Sequence, residues 1–77
     1  MELRTNGSAI RAVREALGVQ QKALAARAEI TAPYLSQIEC GVRQPPMDTV
    51  RRLATELGVP VDAITYPAPA QPAAAAS

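Results

Sequence analysis

The sequence lacks the residues on which most catalytic and metal-binding chemistry depends. Its 77 residues include no histidine and a single cysteine, Cys40. Histidine-dependent catalysis, a zinc site built from cysteine and histidine, and an internal disulfide are therefore excluded. The remaining residues assemble neither a nucleophile with its base nor a phosphate-binding glycine loop. We expect no enzymatic activity, no metal and no cofactor.

Long hydrophobic runs are also missing. No segment approaches the roughly 20 apolar residues that are needed to cross a bilayer. The first residues, MELRTNGS, lack the apolar core of a signal peptide. We therefore expect a protein that stays in the cytoplasm.

Aromatic residues are scarce, with only Tyr34 and Tyr66 present. A core must come from leucine, isoleucine, valine, methionine and alanine, and alanine and leucine at this density favour helices. The length suits one compact domain, which we place over residues 1–66. Residues 67–77, PAPAQPAAAAS, carry no charge and no large apolar side chain, so we predict a disordered tail there.

Net charge is only +1, which gives weak support for a nucleic-acid partner. The charge is unevenly distributed, however. Residues 1–44 carry six basic and four acidic residues, whereas residues 45–77 carry two basic and three acidic residues. The first half of the chain is thus the more basic one.

Glycine and proline divide the sequence into short blocks whose apolar residues have helical spacing. We predict five helices and no strand pairing: Ser8–Leu17, Gln20–Ala28, Thr31–Cys40, Met47–Leu57 and a short turn holding Val61 and Ile64. Gly18, Gly41 and Gly58 are placed to end helices. The predicted core is Ile10, Val13, Leu17, Leu24, Leu35, Ile38, Val50, Leu53, Leu57 and Ile64.

The second and third predicted helices are joined only by Glu29 and Ile30. So short a link prevents antiparallel packing and is typical of a helix-turn-helix, in which the second helix is held out from the body. The free side of that helix carries no charge; its residues are Ala32, Pro33, Ser36, Gln37 and Cys40. Small and amide side chains suit close approach to DNA base edges. A protein interface or a neutral surface would look the same from spacing alone.

The sequence resembles the lambda-repressor-like family, the Cro and XRE type of helix-turn-helix, from about Ile10 to Ile64. Three segments carry the resemblance: IRAVREALGVQQKALA, TAPYLSQIECGVRQP and MDTVRRLATELGVPVDAI. The family implies a compact all-α fold of five helices. It also implies homodimers on inverted-repeat operators in double-stranded DNA, and transcriptional control, with Thr31–Cys40 as the recognition helix.

The resemblance assigns base reading mainly to Gln37, since a glutamine amide can pair with adenine N6 and N7 together. Ser36 would make a shorter contact to base or phosphate. Ala32 and Pro33 could offer only apolar contact, such as to a thymine methyl group. Specificity through hydrogen bonds would then depend largely on one side chain.

Phosphate contacts are implied for a further set of residues, namely Gln21, Thr31, Tyr34 and Arg43. An ordinary solvated side chain is the alternative for Gln21, and a ring packed beside Leu35 is the alternative for Tyr34. Arg14 and Glu39 occupy positions that often form an ion pair in this family, so a structural role is implied for both.

Three residues depart from the family pattern. Glu29 stands in the tight turn where glycine is usual, and a left-handed conformation there costs about 1 kcal/mol. Gln20 and Pro46 replace the usual helix caps, at about 1 kcal/mol each.

The alternative function is a protein-binding helix-turn-helix, such as an antitoxin or antirepressor, which the weak net charge and the apolar Ala32 and Pro33 favour.

Overall fold

The computed structural model describes residues 3–67. The elements in chain order are β1 (Leu3–Thr5), α1 (Gly7–Ala16), α2 (Gln21–Arg27), α3 (Ala32–Glu39), α4 (Met47–Leu57), a short 3-10 helix (Val61–Ile64) and β2 (Thr65–Pro67). None of the described helices is both long and apolar enough to cross a membrane.

Local sequence signals explain where the helices begin. Asn6 caps α1, because its Oδ1 accepts a hydrogen bond from the Ala9 N–H at 3.1 Å. Thr31 caps α3 in the same way, as predicted, with its hydroxyl accepting from the Tyr34 N–H at 3.2 Å. The residues before α2 and α4, Gln20 and Pro46, provide no side-chain cap. These two helix starts therefore depend more on tertiary packing.

The prediction of five helices without strands is wrong in two respects. Residues 3–67 form four α-helices, and the expected fifth helix is a single 3-10 turn. In addition, β1 and β2 pair antiparallel, with Leu3 opposite Pro67 and Thr5 opposite Thr65. Three-residue strands are too short to show an alternating pattern, and their partners lie at opposite ends of the sequence. Directly beside the paired segments, the Asn6 N–H also bonds to the Ile64 carbonyl at 2.8 Å.

The predicted tail begins at Pro67, but this residue lies in β2. It was assigned to the tail because the segment that starts with it has no charge and no large apolar side chain. An edge strand tolerates proline, however, since only one side of such a strand needs partners. The remainder of the predicted disordered tail, residues 68–77, lies outside the described residues.

One core joins all four α-helices and the 3-10 helix. Its buried apolar residues are Ile10, Leu24, Ala25, Ala28, Leu35, Ile38, Val50, Leu53, Ala54, Leu57 and Ile64. Leu17 was expected among them and is 55% exposed. Leu17 is the C-cap of α1 and keeps a right-handed helical conformation, but at this end of the helix the core does not cover its side chain. Val13 is half-buried and packs against the core.

The turn between α2 and α3 holds the one non-glycine residue at positive φ among those described, Glu29, at 64°. The predicted left-handed conformation is thus confirmed. The following Ile30 N–H bonds back to the Ala25 carbonyl at 2.9 Å, which closes the end of α2. The turn brings α3 across α2 at a fixed angle, as the helix-turn-helix prediction requires.

Candidate nucleic-acid interface

Helix α3 has a buried side and an exposed side. Leu35 and Ile38 are at most 1% exposed and anchor the helix in the core. Pro33 and Gln37 are exposed, and Ser36 is half-buried. The side chains open to a partner are therefore small, amide or apolar, and none of them carries a charge.

Two residues of α3 lie between these sides. Tyr34 and Ala32 are half-buried and pack against the core cluster. For Tyr34 this agrees with the packing alternative, and its ring sits at the border of core and surface. The hydroxyl of Tyr34 and the exposed Thr31 at the start of the helix stay predicted phosphate contacts.

Glu39 fastens the buried side of α3 to the two preceding helices. Its carboxylate accepts from Arg14 Nε at 2.8 Å and from Arg14 Nη2 at 3.1 Å. It also accepts from Gln21 Nε2 at 3.2 Å. Glu39 and Arg14 keep only 3% and 11% of their side-chain surface exposed. This bidentate geometry holds α3 at one angle to α1 and α2.

The ion pair affects the ionisation of Arg14. The hydrogen bond that Arg14 donates to Glu39 raises the pKa of Arg14 above its ordinary value, burial opposes the rise, and the charges of Glu39 and Glu15 add to it. Because the pKa of Arg14 is raised in the folded state, the stabilisation that this ion pair gives the fold is complete below the ordinary arginine pKa. It would be lost only as the pH rises above that value. Arg14 therefore stays charged across the neutral range.

The loop after α3 contains a second arginine, Arg43, that contacts the helix on its exposed side. Arg43 Nε donates to Gln37 Oε1 at 3.0 Å. Both side chains are exposed. The expected main base reader and the expected phosphate contact are thus direct neighbours, although six residues separate them in sequence.

A shallow polar depression between α1, α2 and α3 collects other candidate residues. It is lined by Arg11, Arg14, Gln21, Ser36, Glu39 and Cys40. The geometry brings Gln21 close to Ser36, and it makes Gln21 a partner of Glu39 rather than a free solvated side chain. Its predicted phosphate contact would have to be made from this position.

Sequence reasoning assigned no role to Gln44 or Val42 in the loop after α3. Gln44 Oε1 accepts from the Thr5 N–H at 3.0 Å, which joins this loop to β1. Val42 is 71% exposed beside the candidate interface. Val42 could have been singled out from the sequence, because it is an isolated apolar residue in the loop between Gly41 and Arg43. The contact of Gln44 could not, because its partner Thr5 lies 39 positions away in the sequence.

The comparisons with known proteins agree with this geometry. A family model described as helix-turn-helix matches residues 10–64. The chain belongs to this helix-turn-helix family. The lambda-repressor-like resemblance drawn from the sequence is thereby confirmed. An uncharacterised HTH-type transcriptional regulator of Mycobacterium tuberculosis is 40% identical over 58 residues, covering 75% of this chain and 41% of the relative. The chain thus spans well under half of that relative.

Solved structures of helix-turn-helix proteins share the fold. The P22 c2 repressor, crystallised with a synthetic operator, superposes with a TM-score of 0.71 at 27% identity, covering 77% of this chain and 89% of that one. SinR in its complex with the SinI protein superposes with a TM-score of 0.68 at 28% identity, covering 73% and 55%. The P22 c2 repressor is seen with operator DNA, and SinR is seen with SinI and, in a further structure, with DNA.

Proposed function

We propose that this chain is a sequence-specific, double-stranded DNA-binding module of a repressor-like transcriptional regulator, with α3 entering the major groove. The observation that carries the proposal is the two-sided nature of α3. Its exposed side is uncharged and offers Gln37, while Glu39 and the core hold the other side. A rigid helix presenting an amide suits the donor and acceptor pattern of base edges. Because its proposed target is double-stranded DNA, we expect the module to act in the cytoplasm.

Phosphate contacts would position α3 without reading sequence. Thr31 and Tyr34 lie at the start of the helix and Arg43 follows its end, so the three residues bracket the exposed side. Gln21 would contribute from the start of α2. In this proposal Ser36 touches base or phosphate, and Ala32 and Pro33 make only apolar contact.

We also propose that the module binds as a homodimer. Helix α3 has eight residues and is about 12 Å long, which is too short for one copy to read a long site. The dimer would form through the end of α4 and the segment 59–66, where Tyr66 is 45% exposed. Two recognition helices would then lie about 34 Å apart on a two-fold symmetric site.

The central test is a selection of bound sequences from a random duplex pool, followed by measurements on Gln37→Ala. Loss of the bidentate contact should weaken binding to the selected site by about 1 to 3 kcal/mol per half-site. Affinity for random duplex should stay nearly unchanged, because the amide makes no phosphate contact. Ala12→Ser, on the exposed side of α1 and outside both proposed surfaces, is the control and should change neither affinity.

Equal losses on selected and random duplex would contradict the role of Gln37. Gln37 would then be a phosphate contact or a packing residue, and Ser36 would be the next candidate for base reading.

The homodimer is tested with the wild-type protein and the same selected duplex. Sedimentation should find two chains per selected site, and the site should be an inverted repeat; one chain on a single half-site with full specificity would contradict the dimer.

A protein-binding helix-turn-helix is the second candidate, because Val42 is 71% exposed after the end of α3, the helix begins with the apolar Ala32 and Pro33, and the net charge is only +1. Exposed apolar residues at both ends of the helix would suit a protein partner. The salt dependence of duplex binding distinguishes the DNA-binding candidate from the protein-binding one. Binding to random duplex must weaken as salt rises if phosphates are neutralised, whereas a protein-binding module would show no such duplex binding.

A further inference from the structure

Three hydrogen bonds join the loop residues Val42 and Arg43 to Gln37. Besides the side-chain bond of 3.0 Å, the Val42 N–H and the Arg43 N–H both donate to the Gln37 carbonyl, at 2.9 Å and 3.3 Å. Gly41, at a φ of +81°, turns the chain so that the loop folds back onto the helix end. The two backbone bonds fix where the Arg43 side chain starts, so its contact with Gln37 costs little additional ordering.

The chemistry of arginine determines which end of the amide faces it. A guanidinium group has only donors, so the neighbouring amide atom must be the oxygen. Gln37 Oε1 keeps a second lone pair, and Nε2 stays free to donate. Arg43 keeps both of its terminal nitrogens for another partner such as a phosphate.

This orientation matters because an amide reads adenine and guanine differently. Adenine offers one donor, N6, beside one acceptor, N7, and a glutamine amide matches both atoms in one orientation only. Guanine offers two acceptors, N7 and O6, so an amide whose oxygen is held in place cannot pair with both. Fixing the amide therefore favours adenine over guanine.

We propose that Arg43 is a positioning residue for base reading, which holds the Gln37 amide in the orientation that pairs with adenine. The inference rests on the proposed function and deepens it, because it names the base and a second residue that determines specificity. Arg43 is then more than a phosphate contact. Its hydrogen bond to Gln37 is part of the recognition surface.

The experiment compares Arg43→Ala with Arg43→Lys on three duplexes across a range of salt concentrations. The duplexes are the selected site, the same site with guanine at the base pair whose preference is lost in Gln37→Ala, and a random sequence. Lysine keeps the charge but has no Nε donor beside the amide. Arg51→Ala, which removes an exposed charge on α4 whose partner is Asp48, is the matched control.

Arg43→Ala should lower the preference for adenine over guanine by about 2- to 10-fold, as expected for the loss of one hydrogen bond. Arg43→Lys should restore the salt slope and the affinity for random duplex, but not the preference. Arg51→Ala should leave the preference intact. In a Gln37→Ala background, Arg43→Ala should cause no further loss of preference, because the amide that it positions is gone.

Two outcomes would overturn the inference while leaving DNA binding intact. In one, Arg43→Ala weakens all three duplexes by the same factor; in the other, Arg43→Lys restores the preference for adenine. Either result would reduce Arg43 to a phosphate contact. A wild-type protein that binds no duplex at any salt concentration would overturn the proposed function itself, and this inference with it.

Discussion

Two arginines contact helix α3 from opposite sides, and the comparison separates stability from recognition. Arg14 reaches Glu39 on the buried side, where both side chains are largely withdrawn from water. Arg43 reaches Gln37 on the exposed side, two residues earlier in the same helix. The hydrogen-bond lengths are similar, at 2.8 Å and 3.0 Å, so distance alone does not distinguish their roles.

Burial distinguishes them. Removing one member of a buried ion pair leaves the other charge without compensation, at a cost of several kcal/mol. An exposed hydrogen bond exchanges with water, and its loss costs little stability. The buried contact thus determines where α3 lies, and the exposed contact determines what the helix presents to a partner.

The largest expected effect tests the buried contact. Glu39→Ala should lower the free energy of unfolding by about 3 kcal/mol, because Arg14 would stay partly buried without its carboxylate. Urea denaturation monitored by circular dichroism measures the loss. Gln21 would lose a partner in the same variant, so the start of α2 should also exchange its amide protons faster.

Two variants serve as controls for this comparison. Glu15→Ala removes an exposed carboxylate, 55% open to solvent, that also lies near Arg14, and should cost at most about 1 kcal/mol. Arg43→Ala should stay within about 0.5 kcal/mol of the wild type. If Glu39→Ala cost no more than Glu15→Ala, or if Arg43→Ala cost as much as Glu39→Ala, the distinction between the two sides would fail.

A smaller effect is expected at Gly7, which lies against the end of α3 on its buried side. A Cβ at this position would overlap the Ile38 carbonyl oxygen and come within 2.8 Å of the Glu39 carbonyl oxygen. Gly7→Ala should therefore destabilise the fold by about 1 to 3 kcal/mol, because α1 and α3 would have to separate. Thermal unfolding measures the change.

Whether Gly7→Ala raises or lowers the stability of the fold is informative. In an open helix, alanine is preferred to glycine by about 0.5 to 1 kcal/mol, so a more stable Gly7→Ala variant would show that the two helices are not in close contact. Ala12→Gly is the control, since Ala12 is exposed in the middle of α1 and the change measures the intrinsic preference between the two residues. It should lower the free energy of unfolding by about 0.5 to 1 kcal/mol.

Much of the fold could be predicted because its signals are local. The threonine cap of α3, the stops after α1 and α3, and the left-handed residue Glu29 each depend on a few neighbouring residues. Ten core residues were expected and eight of them are buried, since helical spacing reports burial well inside a helix. The prediction for Leu17 was wrong because this residue lies at the end of α1, where helical spacing continues but the core no longer covers the side chain.

The sequence by itself determined the helices, the tight turn of the helix-turn-helix and the uncharged side of α3, because each follows from the periodicity and conformational preferences of adjacent residues. Only the tertiary structure decided the pairing of β1 with β2, the attachment of Gln21 to Glu39 and the contact of Arg43 with Gln37. These contacts join residues that become neighbours after the chain has turned. Their partners are selected by the geometry of the packed helices, which no short segment of the sequence contains.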